Sequence, residues 1–323
     1  MTVGDPAGIG PEIILKSVLE SENDFIPLLI GQKQVFQFYN DLYGLGLSFY
    51  SVSDCPQVNE AEGLAVYEIL PHTKLHLSPG IPHIDGARVA MEAVRTGTEL
   101  ACESHISALV TAPIYKKGIN QGGYNFNGHT DFLAHITGTE KYAMMLVGGG
   151  INVVLVTIHI PFTDIIANLS VNKIFETIQI THSSLKRFGI KNPRIAVCAL
   201  NPHAGEQGIM GDEEQTIIQP AVELARNADI TITGIFPADT IFWDAVHDKC
   251  DAVIAMYHDQ GLIPVKVLAF DTGVNVTLGL PIIRTSPDHG TAFNIAGKNC
   301  ASCASFKQAL RVALKLIREG KND

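Results

Sequence analysis

The chain has 323 residues, of which 46% are hydrophobic and 17% are charged, and its formal net charge is −10. This composition excludes a disordered protein, and the negative charge argues against a nucleic-acid partner, which would require a basic face. No apolar stretch approaches the roughly 20 residues of a membrane span, and no secretory signal is visible. We therefore expect a globular, cytoplasmic protein of one large or two ordinary domains, without a membrane partner.

A glycine-rich segment at residues 4–12 (GDPAGIGPE) precedes the first predicted helix, residues 12–19. Pro11 is suited to the start of that helix. Glycines such as Gly8 and Gly10 allow a ligand to approach the backbone closely, and the N-terminus of a helix favours an anion. The segment is a candidate ligand-binding loop, although an ordinary tight turn before a helix would have the same composition.

Short runs of β-branched and apolar residues alternate with amphipathic segments along the chain. The predicted buried strands are residues 106–111, 152–158, 194–200, 229–235 and 251–256. The predicted helices between and after them are residues 86–104, 171–188, 213–227 and 305–319. Strands that alternate with helices are typical of an α/β fold with a largely parallel sheet.

His129 and Thr130 directly precede a short predicted helix, residues 132–136. A histidine, a hydroxyl and the free N–H groups of a helix N-terminus together favour a phosphate group. We expect Thr130 or Asp131 to cap this helix. The alternative is a plain cap with an exposed histidine.

A histidine follows the end of three predicted strands: His159, His203 and His258. Ligands of open parallel α/β sheets bind beyond the carboxyl ends of the strands, so the three imidazoles could meet there, within one subunit or across a subunit interface. Three imidazoles with a vacant position are typical of a catalytic transition-metal site. The spacing is not a local metal motif, and chance placement among 12 histidines is the alternative.

Lys266, Asn275 and Arg284 lie in a stretch of low charge, residues 261–285. Because an unpaired cation is costly to bury, the lysine and the arginine are candidates for binding a carboxylate or phosphate. The alternative is two side chains whose charged ends reach the solvent from strand ends. Asp239 follows a predicted strand and is a candidate catalytic proton acceptor, an outer group of the metal site, or a helix cap.

The six cysteines are scattered along the chain, which does not indicate a disulfide framework. Cys300 and Cys303 form a single C-x-x-C pair, without the second pair that a zinc site would need. We interpret them as small residues at the start of the C-terminal helix.

Taken together, these motifs resemble the PdxA family, the 4-hydroxythreonine-4-phosphate dehydrogenases of pyridoxal phosphate biosynthesis. The motifs occur in family order as GDPAGIGPE (4–12), TAP (111–113), FNGHTD (126–131), LNPHAGE (200–206), FPADTIF (236–242), MYHDQG (256–261) and DHGTAFNIAGK (288–298). The first and last are also similar to cofactor loops of isocitrate and isopropylmalate dehydrogenases. The resemblance implies two α/β/α domains with a cleft between them, a cofactor-side domain (1–125 plus 265–323) and a metal- and dimer-side domain (126–264).

The resemblance also implies a role for individual residues. One divalent metal ion, zinc, cobalt or magnesium, would be bound by His159, His203 and His258 in a site shared between the subunits of a homodimer. A small phosphorylated substrate would be bound by His129, Thr130, Lys266, Asn275 and Arg284. NAD or NADP would be bound by Gly8, Gly10, His289, Gly290, Thr291, Ala292 and Asn294.

The implied reaction is the metal-dependent, NAD(P)-linked oxidation of 4-phosphohydroxy-L-threonine at C3, followed by decarboxylation to 3-amino-2-oxopropyl phosphate. Family relatives act instead on 4-phosphothreonate or on aromatic dihydrodiols, and a phosphate site disfavours a diol. A metal-dependent phosphohydrolase is a second alternative, but it would leave the glycine-rich loops unexplained. A catalytically inactive binding protein should lack a metal ligand or a cation, and all of them are present.

The sequence departs from the family pattern in three places. Met1 lies almost directly before the glycine-rich loop, where relatives carry additional residues of a first strand, so we expect a shortened strand or a misassigned start. Asp131 stands where glutamate is common. Asn294 stands where aspartate is frequent, so the resemblance does not predict the choice between NAD and NADP.

Overall fold

The computed structural model describes residues 1–21, 25–55 and 63–320. They divide into two compact units: the first is Met1–Glu140 with Leu280–Leu314, and the second is Lys141–Gly279 with Lys315–Asp323. The two boundaries at Glu140 and Leu280 lie later in the chain than those that the family resemblance implies, and the residues from Lys315 onward belong to the second unit, where the resemblance implies the first. Each unit combines helices with parallel strands, which confirms the predicted α/β class.

The elements follow one another in close alternation. The strands are β1 (Leu28–Gly31), β2 (Phe49–Val52), β3 (Leu64–Glu68), β4 (Leu109–Val110), β5 (Ala143–Gly148), β6 (Ile151–Leu155), β7 (Ile195–Cys198), β8 (Ile232–Phe236), β9 (Ala252–Ala255), β10 (Val274–Leu278) and β11 (Arg284–Pro287). The helices are α1 (Gly10–Leu19), α2 (Lys33–Tyr43), α3 (Ile84–Cys102), α4 (Lys116–Gln121), α5 (His129–Thr137), α6 (Ile165–Asn168), α7 (Val171–Arg187), α8 (Gln219–Asn227), α9 (Ala238–Val246), α10 (His258–Ala269) and α11 (Ala304–Gly320). A π-helical turn, Glu214–Ile218, leads into α8.

In the first unit, β3 lies between β1 and β2, and all three strands are parallel. β4 and β11 form a second parallel pair. Thr2 joins the two groups through parallel bridges to Ile30 and Thr111, and the Val3 amide donates to the Ile30 carbonyl at 3.0 Å. Residues 1–3 therefore pair with both groups of strands directly before the glycine-rich loop.

The second unit contains one sheet in the order β10-β5-β6-β9-β7-β8. β6, β9, β7 and β8 are parallel, whereas β5 is antiparallel to both of its neighbours. Gly149 and Gly150 connect β5 to β6 with φ angles of 60° and 85°, and positive φ at both positions is what a two-residue hairpin turn requires. The sheet is therefore less uniformly parallel than the sequence predicts.

The three strands that carry the predicted metal ligands are direct neighbours in this sheet, in the order β6-β9-β7. His159 follows β6, His258 follows β9 and His203 follows β7. Because the strands are parallel, their carboxyl ends share one edge of the sheet. The role of the three histidines as metal ligands stays a prediction. Within the ranges that the structure describes, no helix has the length and apolar character needed to cross a bilayer.

Candidate active site

Two of the predicted cofactor-binding segments are in contact within the first unit. The Ile9 amide donates a hydrogen bond of 3.0 Å to the carbonyl of Thr291. A Cβ atom added to Gly8 would lie 2.9 Å from the same carbonyl oxygen, and one added to Gly10 would lie 2.6 Å from the Val3 carbonyl oxygen. Both positions require glycine because backbone approaches them too closely for a side chain.

A third segment, residues 78–81, packs against the same two loops, and the sequence did not predict it. The Gly80 amide donates to the Ala7 carbonyl at 2.8 Å, and a Cβ atom on Gly80 would lie 2.9 Å from the Phe293 carbonyl oxygen. A Cβ atom on Gly297 would lie 2.6 Å from Pro79. We call residues 4–9, 78–81 and 289–297 the cofactor cradle.

The predicted cofactor residues of the last cradle segment differ in their exposure. His289, Gly290 and Asn294 are exposed, so a ligand can reach them, whereas Thr291 and Ala292 are half-buried. Ala292 has a φ angle of 44°, in the left-handed region that is costly for residues other than glycine. The strain is typical of a loop whose conformation serves a ligand.

The glutamate of the first motif has a supporting role beside the cradle. Glu12 is fully buried, and its carboxylate accepts hydrogen bonds from Lys16 Nζ at 2.7 Å, the Tyr43 hydroxyl at 2.8 Å and the Ala301 amide at 2.9 Å. These contacts join α1 to the chain that follows the cradle. A buried carboxylate with three donors stabilises this arrangement because its charge is compensated.

The predicted phosphate site begins at α5, which starts at His129, earlier than predicted. The prediction that Thr130 or Asp131 caps this helix is wrong: the N-cap is Gly128, no side chain caps the helix, and both residues lie in its first turn. The Nε2 atom of His129 is buried and has no hydrogen-bond partner among the described residues. It is therefore available to a ligand at the N-terminus of α5.

The charges around His129 suit an anion. Burial, followed by the positive charges of Arg284 and Lys116, holds the pKa of His129 well below its ordinary value, so the imidazole is neutral. Arg284 is 2% exposed, and its Nη2 donates to the Thr111 hydroxyl at 2.7 Å. Burial lowers the pKa of Arg284 to about 9, which leaves the guanidinium charged at neutral pH. A guanidinium, an ammonium and a helix N-terminus together favour phosphate, and the sequence did not predict Lys116.

In the second unit, two of the predicted metal ligands are adjacent. The rings of His159 and His258 have centroids 5.5 Å apart. His258 Nδ1 lies 2.7 Å from a carboxylate oxygen of Asp259, a contact that orients the ring. An imidazole held by a carboxylate is the arrangement expected of a metal ligand, so this pair fits a divalent transition metal.

His203 has an unusual backbone conformation and does not join the pair. Residues 203–207 all have positive φ, with values between 41° at Glu206 and 74° at Gly205, and four of the five are not glycine. Among the described residues of one chain, no group of three or more histidine, cysteine, aspartate or glutamate side chains could hold a metal ion. The structure thus brings two of the three predicted ligands together and presents the third separately, on an exposed turn.

Two buried side chains, both missed from the sequence, hold the ends of β7 and β9. Glu214 Oε1 accepts from the amides of Leu200 and Asn201 at 2.8 and 2.7 Å, just before the His203 turn. Gln260 Oε1 accepts from the Met256 amide and its Nε2 donates to the Ala199 carbonyl, both at 2.7 Å. Gln260 thereby ties the strand end before His258 to the strand end before His203.

Large apolar side chains are exposed around all three histidines. Phe162 and Ile166 follow His159, Ile209 and Met210 follow His203, and Ile263, Val267 and Phe270 lie at helical spacing after His258. Val267 is 79% exposed and Ile209 is 80% exposed. A group of exposed apolar side chains of this size is typical of a surface that another protein covers.

The remaining predicted residues also lie in the second unit. Lys266 is on α10, not at a strand end, and its Nζ lies 5.5 Å from the centroid of the Phe270 ring. The Oδ1 atom of Asn275, in β10, is buried without a hydrogen-bond partner in the described part of the chain. Asp239 is exposed in the first turn of α9, where Pro237 is the N-cap.

All six cysteines are free thiols.

Comparison with known proteins gives consistent matches over the chain. The profile of the family described as "Pyridoxal phosphate biosynthetic protein PdxA" matches residues 23–313. The 4-hydroxythreonine-4-phosphate dehydrogenase of Desulforapulum autotrophicum is 43% identical, over 97% of this chain and 93% of that protein. An Oceanobacillus iheyensis protein, named provisionally as a D-threonate 4-phosphate dehydrogenase, is 40% identical, over 98% of this chain and 96% of its own.

A solved structure agrees with these matches. The crystal structure of 4-hydroxythreonine-4-phosphate dehydrogenase from Klebsiella pneumoniae superposes with a TM-score of 0.90 at 37% identity, covering 98% of this chain and 96% of that chain. The arrangement of the motifs, the family profile and the shared fold therefore agree, and the chain belongs to the PdxA family.

Proposed function

We propose that the protein is a metal-dependent, NAD(P)-linked dehydrogenase that oxidises 4-phosphohydroxy-L-threonine at C3 and decarboxylates the product to 3-amino-2-oxopropyl phosphate, in pyridoxal phosphate biosynthesis. Membership of the PdxA family and relatives named for this activity support the reaction. The observation that carries the proposal is the anion site of the first unit, in which the unpaired Nε2 of His129 lies in the positive field of Arg284 and Lys116.

At this site the substrate's phosphate is bound at the N-terminus of α5. Arg284 and Lys116 supply positive charge, and the neutral imidazole of His129 and the hydroxyl of Thr130 supply hydrogen bonds. Burial of the Arg284 guanidinium strengthens its interaction with a dianion, because water screens the charges less there. Lys266 and Asn275 complete the predicted set of substrate-binding residues.

The chemistry at C3 needs a proton acceptor and a hydride acceptor. A divalent ion bound by His159, His203 and His258 would supply a Lewis acid that favours loss of the C3 hydroxyl proton and polarises the resulting ketone for decarboxylation. A dinucleotide held by the cofactor cradle would supply the hydride acceptor for C3, so one NAD(P)H and one CO₂ would form for each substrate oxidised. Asp259 fixes the orientation of His258, and Asp239 is the proposed acceptor of the proton.

The metal is proposed to be shared between two copies of the chain. His159 and His258 are adjacent in one chain, whereas the His203 turn is exposed, and no group of three or more metal-binding side chains occurs among the described residues of one chain. Each of the three histidines is followed by exposed apolar residues that a second copy would bury. These observations support a homodimer in which His203 of one subunit completes the site of the other. Imidazole ligands favour zinc or cobalt over magnesium, which prefers oxygen.

The second candidate substrate is 4-phosphothreonate, favoured by the 40% identity to the Oceanobacillus iheyensis protein. Both substrates present a phosphate and a secondary alcohol, so the anion site accepts either. The proposed location of the enzyme is the cytoplasm, and its proposed cofactor is NAD or NADP, as the resemblance implies.

The test is to measure NADH or NADPH formation with each of the two phosphorylated substrates, before and after exhaustive chelation. We expect turnover of 4-phosphohydroxy-L-threonine, loss of activity on chelation, and recovery with zinc or cobalt. Preferred turnover of 4-phosphothreonate would assign the second substrate. Full activity without metal would contradict the metal-dependent scheme, and release of inorganic phosphate without reduced cofactor would identify a phosphohydrolase instead.

A further inference from the structure

One acidic side chain of the cofactor cradle has no role in the reaction described above. Asp5 is 1% exposed, and its Oδ1 accepts a hydrogen bond of 3.0 Å from the Ala7 amide. Its second oxygen, Oδ2, is equally buried and has no hydrogen-bond partner among the described residues. An unsatisfied carboxylate oxygen in the interior is costly, and in native proteins such a group is explained by a functional role or by a bound ligand, ion or water.

Asp5 also lines a pocket within the first unit. The pocket is small, with a volume of about 10 Å³, and is formed by residues 5–7 together with residues of the segment 75–86. Leu75, Leu77 and Ile81 give it apolar walls, and Ser78 lies in the same lining. His76 and His83 are also part of the lining. A buried acceptor beside a space of this size is suited to one small hydrogen-bond donor that reaches in from a larger ligand.

The position of this pocket connects it to the cradle. Ala7, which lines the pocket, accepts the hydrogen bond from Gly80, and Ser78 belongs to the second cradle segment. The cradle loops that would bind a dinucleotide are thus continuous with the pocket wall. A phosphate group is excluded there because its charge would repel the Asp5 carboxylate.

Burial raises the pKa of Asp5 to about 6, partly offset by the hydrogen bond from Ala7. The side chain is therefore mostly ionised at neutral pH, in a place where ionisation is unfavourable. Perturbed carboxyl groups of this kind are concentrated at functional sites.

We propose that Asp5 binds the nicotinamide nucleotide, its free oxygen accepting a hydrogen bond from an uncharged donor of the cofactor, either a sugar hydroxyl or the carboxamide N–H. The proposal rests on the proposed function, since it takes the cradle to be a dinucleotide site. It adds a recognition residue that the sequence motifs and the family resemblance did not single out.

The test uses the full-length protein and the substitution Asp5→Asn. Asparagine keeps an oxygen for the Ala7 amide but replaces the free oxygen with an NH₂ group, which would face the ligand's donor. We expect the Kd for NADH, measured by fluorescence titration, to rise by about tenfold or more, the equivalent of one lost hydrogen bond to a charged acceptor. Asp85→Asn is the matched control, because it removes the same charge from an exposed pair with Arg88 beside the pocket.

Two ligand analogues distinguish the two donors. 3-Acetylpyridine adenine dinucleotide lacks the carboxamide N–H, so wild type and Asp5→Asn should bind it equally if that group is the donor. If a sugar hydroxyl is the donor, the difference in Kd between wild type and Asp5→Asn should persist with this analogue. Competition by ADP-ribose and by nicotinamide mononucleotide should then show which half of the cofactor carries that hydroxyl.

The outcomes separate this inference from the proposed function. If wild type binds neither NADH nor NADPH, the dehydrogenase proposal fails and this inference fails with it. If wild type binds and Asp5→Asn binds equally well, only the role of Asp5 is overturned. Asp5→Ser, which keeps a short acceptor for the Ala7 amide, provides the same comparison if the asparagine variant does not fold; equal binding by that variant would overturn the proposal as well.

Discussion

The imidazole rings of His159 and His258 have centroids 5.5 Å apart within one chain, just beyond the carboxyl ends of two neighbouring parallel strands. If His203 comes from the other subunit, a chain that lacks His203 and a chain that lacks His258 can together form one intact site. Mixing inactive His203→Ala and His258→Ala proteins under conditions that exchange subunits should therefore restore activity, to about a quarter of the wild-type level with random pairing.

The control for this complementation is a mixture of His159→Ala with His258→Ala. These two residues belong to the same half of the site, so each mixed site would lack one of them and the mixture should stay inactive. Activity in this mixture, or no recovery in the first one, would contradict the proposed division of the ligands. Turnover of 4-phosphohydroxy-L-threonine, followed as NADH absorbance, is the measurement.

Glu214 is expected to determine metal affinity without touching the metal. Glu214→Ala removes the acceptor for the amides of Leu200 and Asn201, so the turn that presents His203 loses its support. We expect metal affinity, measured by titration calorimetry of the apoprotein, to fall by about 10–100-fold, as for other groups that orient metal ligands. Glu214→Gln retains one acceptor oxygen and should recover most of the affinity.

The matched control is Glu223→Ala on α8, an exposed residue that bonds Gln219 at 3.0 Å. It should leave metal affinity unchanged. A purely structural role for Glu214 would lower the free energy of unfolding of the apoprotein while leaving the metal Kd of the folded protein at the wild-type value. That result would refute a positioning role.

Arg284 is expected to contribute to substrate binding through its buried charge. Arg284→Met removes the guanidinium near His129, so the KM for the phosphorylated substrate should rise by about 10–100-fold, the equivalent of one charge-assisted hydrogen bond. The inhibition constant of inorganic phosphate should rise in parallel, which links the effect to the phosphate. Arg311→Met, on the exposed side of α11, is the control and should leave both constants unchanged. Equal inhibition of wild type and Arg284→Met by phosphate would show that Arg284 does not bind the phosphate group.

The raised pKa of Asp5 predicts that the stability of the protein depends on pH. This pKa is raised from 3.8 to about 6, so the folded protein binds the proton more tightly than the unfolded chain does. The stability contributed by this residue is therefore present below pH 3.8 and is lost as the pH rises through about 6. Asp5→Asn should become more stable than wild type above that range, by about 1–3 kcal/mol at pH 8.

Urea unfolding of both proteins at pH 4.5, 6 and 8 measures this difference. The comparison isolates Asp5, because the neighbouring titratable groups, His76 and His83 in the pocket lining and Tyr39 and Glu12 nearby, are the same in both proteins. A constant difference across this range would mean that Asp5 does not titrate there. Higher stability combined with weaker NADH binding would identify Asp5 as a residue that improves function at the expense of the fold.

Much of the second unit could be predicted because parallel strands obey simple rules. Buried β-branched runs identified β6, β7 and β9, and the rule that strand ends share an edge placed the three histidines on one side of the sheet. Their assignment as metal ligands remains a prediction. The antiparallel strand β5 was missed, because its apolar sequence has no alternation that separates it from a helix, although Gly149 and Gly150 were a signal for the hairpin.

The supporting residues could not be predicted, because they depend on contacts between distant segments. Nothing local to Gln260 indicates that its carboxamide bonds the Ala199 carbonyl of another strand. The pocket beside the unpaired oxygen of Asp5 forms only when residues of the segment 75–86 pack against the first loop, and no local pattern indicates that contact. Sequence patterns identify the candidate reactive and ligand-binding side chains. The side chains that position them are identified only from burial and hydrogen bonds in the folded structure.

The left-handed turn at residues 203–207 has a consequence for anyone who redesigns this protein. Each non-glycine residue there adopts a backbone conformation that costs roughly 1–2 kcal/mol, and the cost is steepest for β-branched side chains. Ala204 should therefore accept glycine or asparagine but reject valine and isoleucine, even though its side chain is small and half-buried. A library that randomises this turn by hydrophobicity alone would contain many variants that no longer hold the backbone conformation of the turn that carries His203.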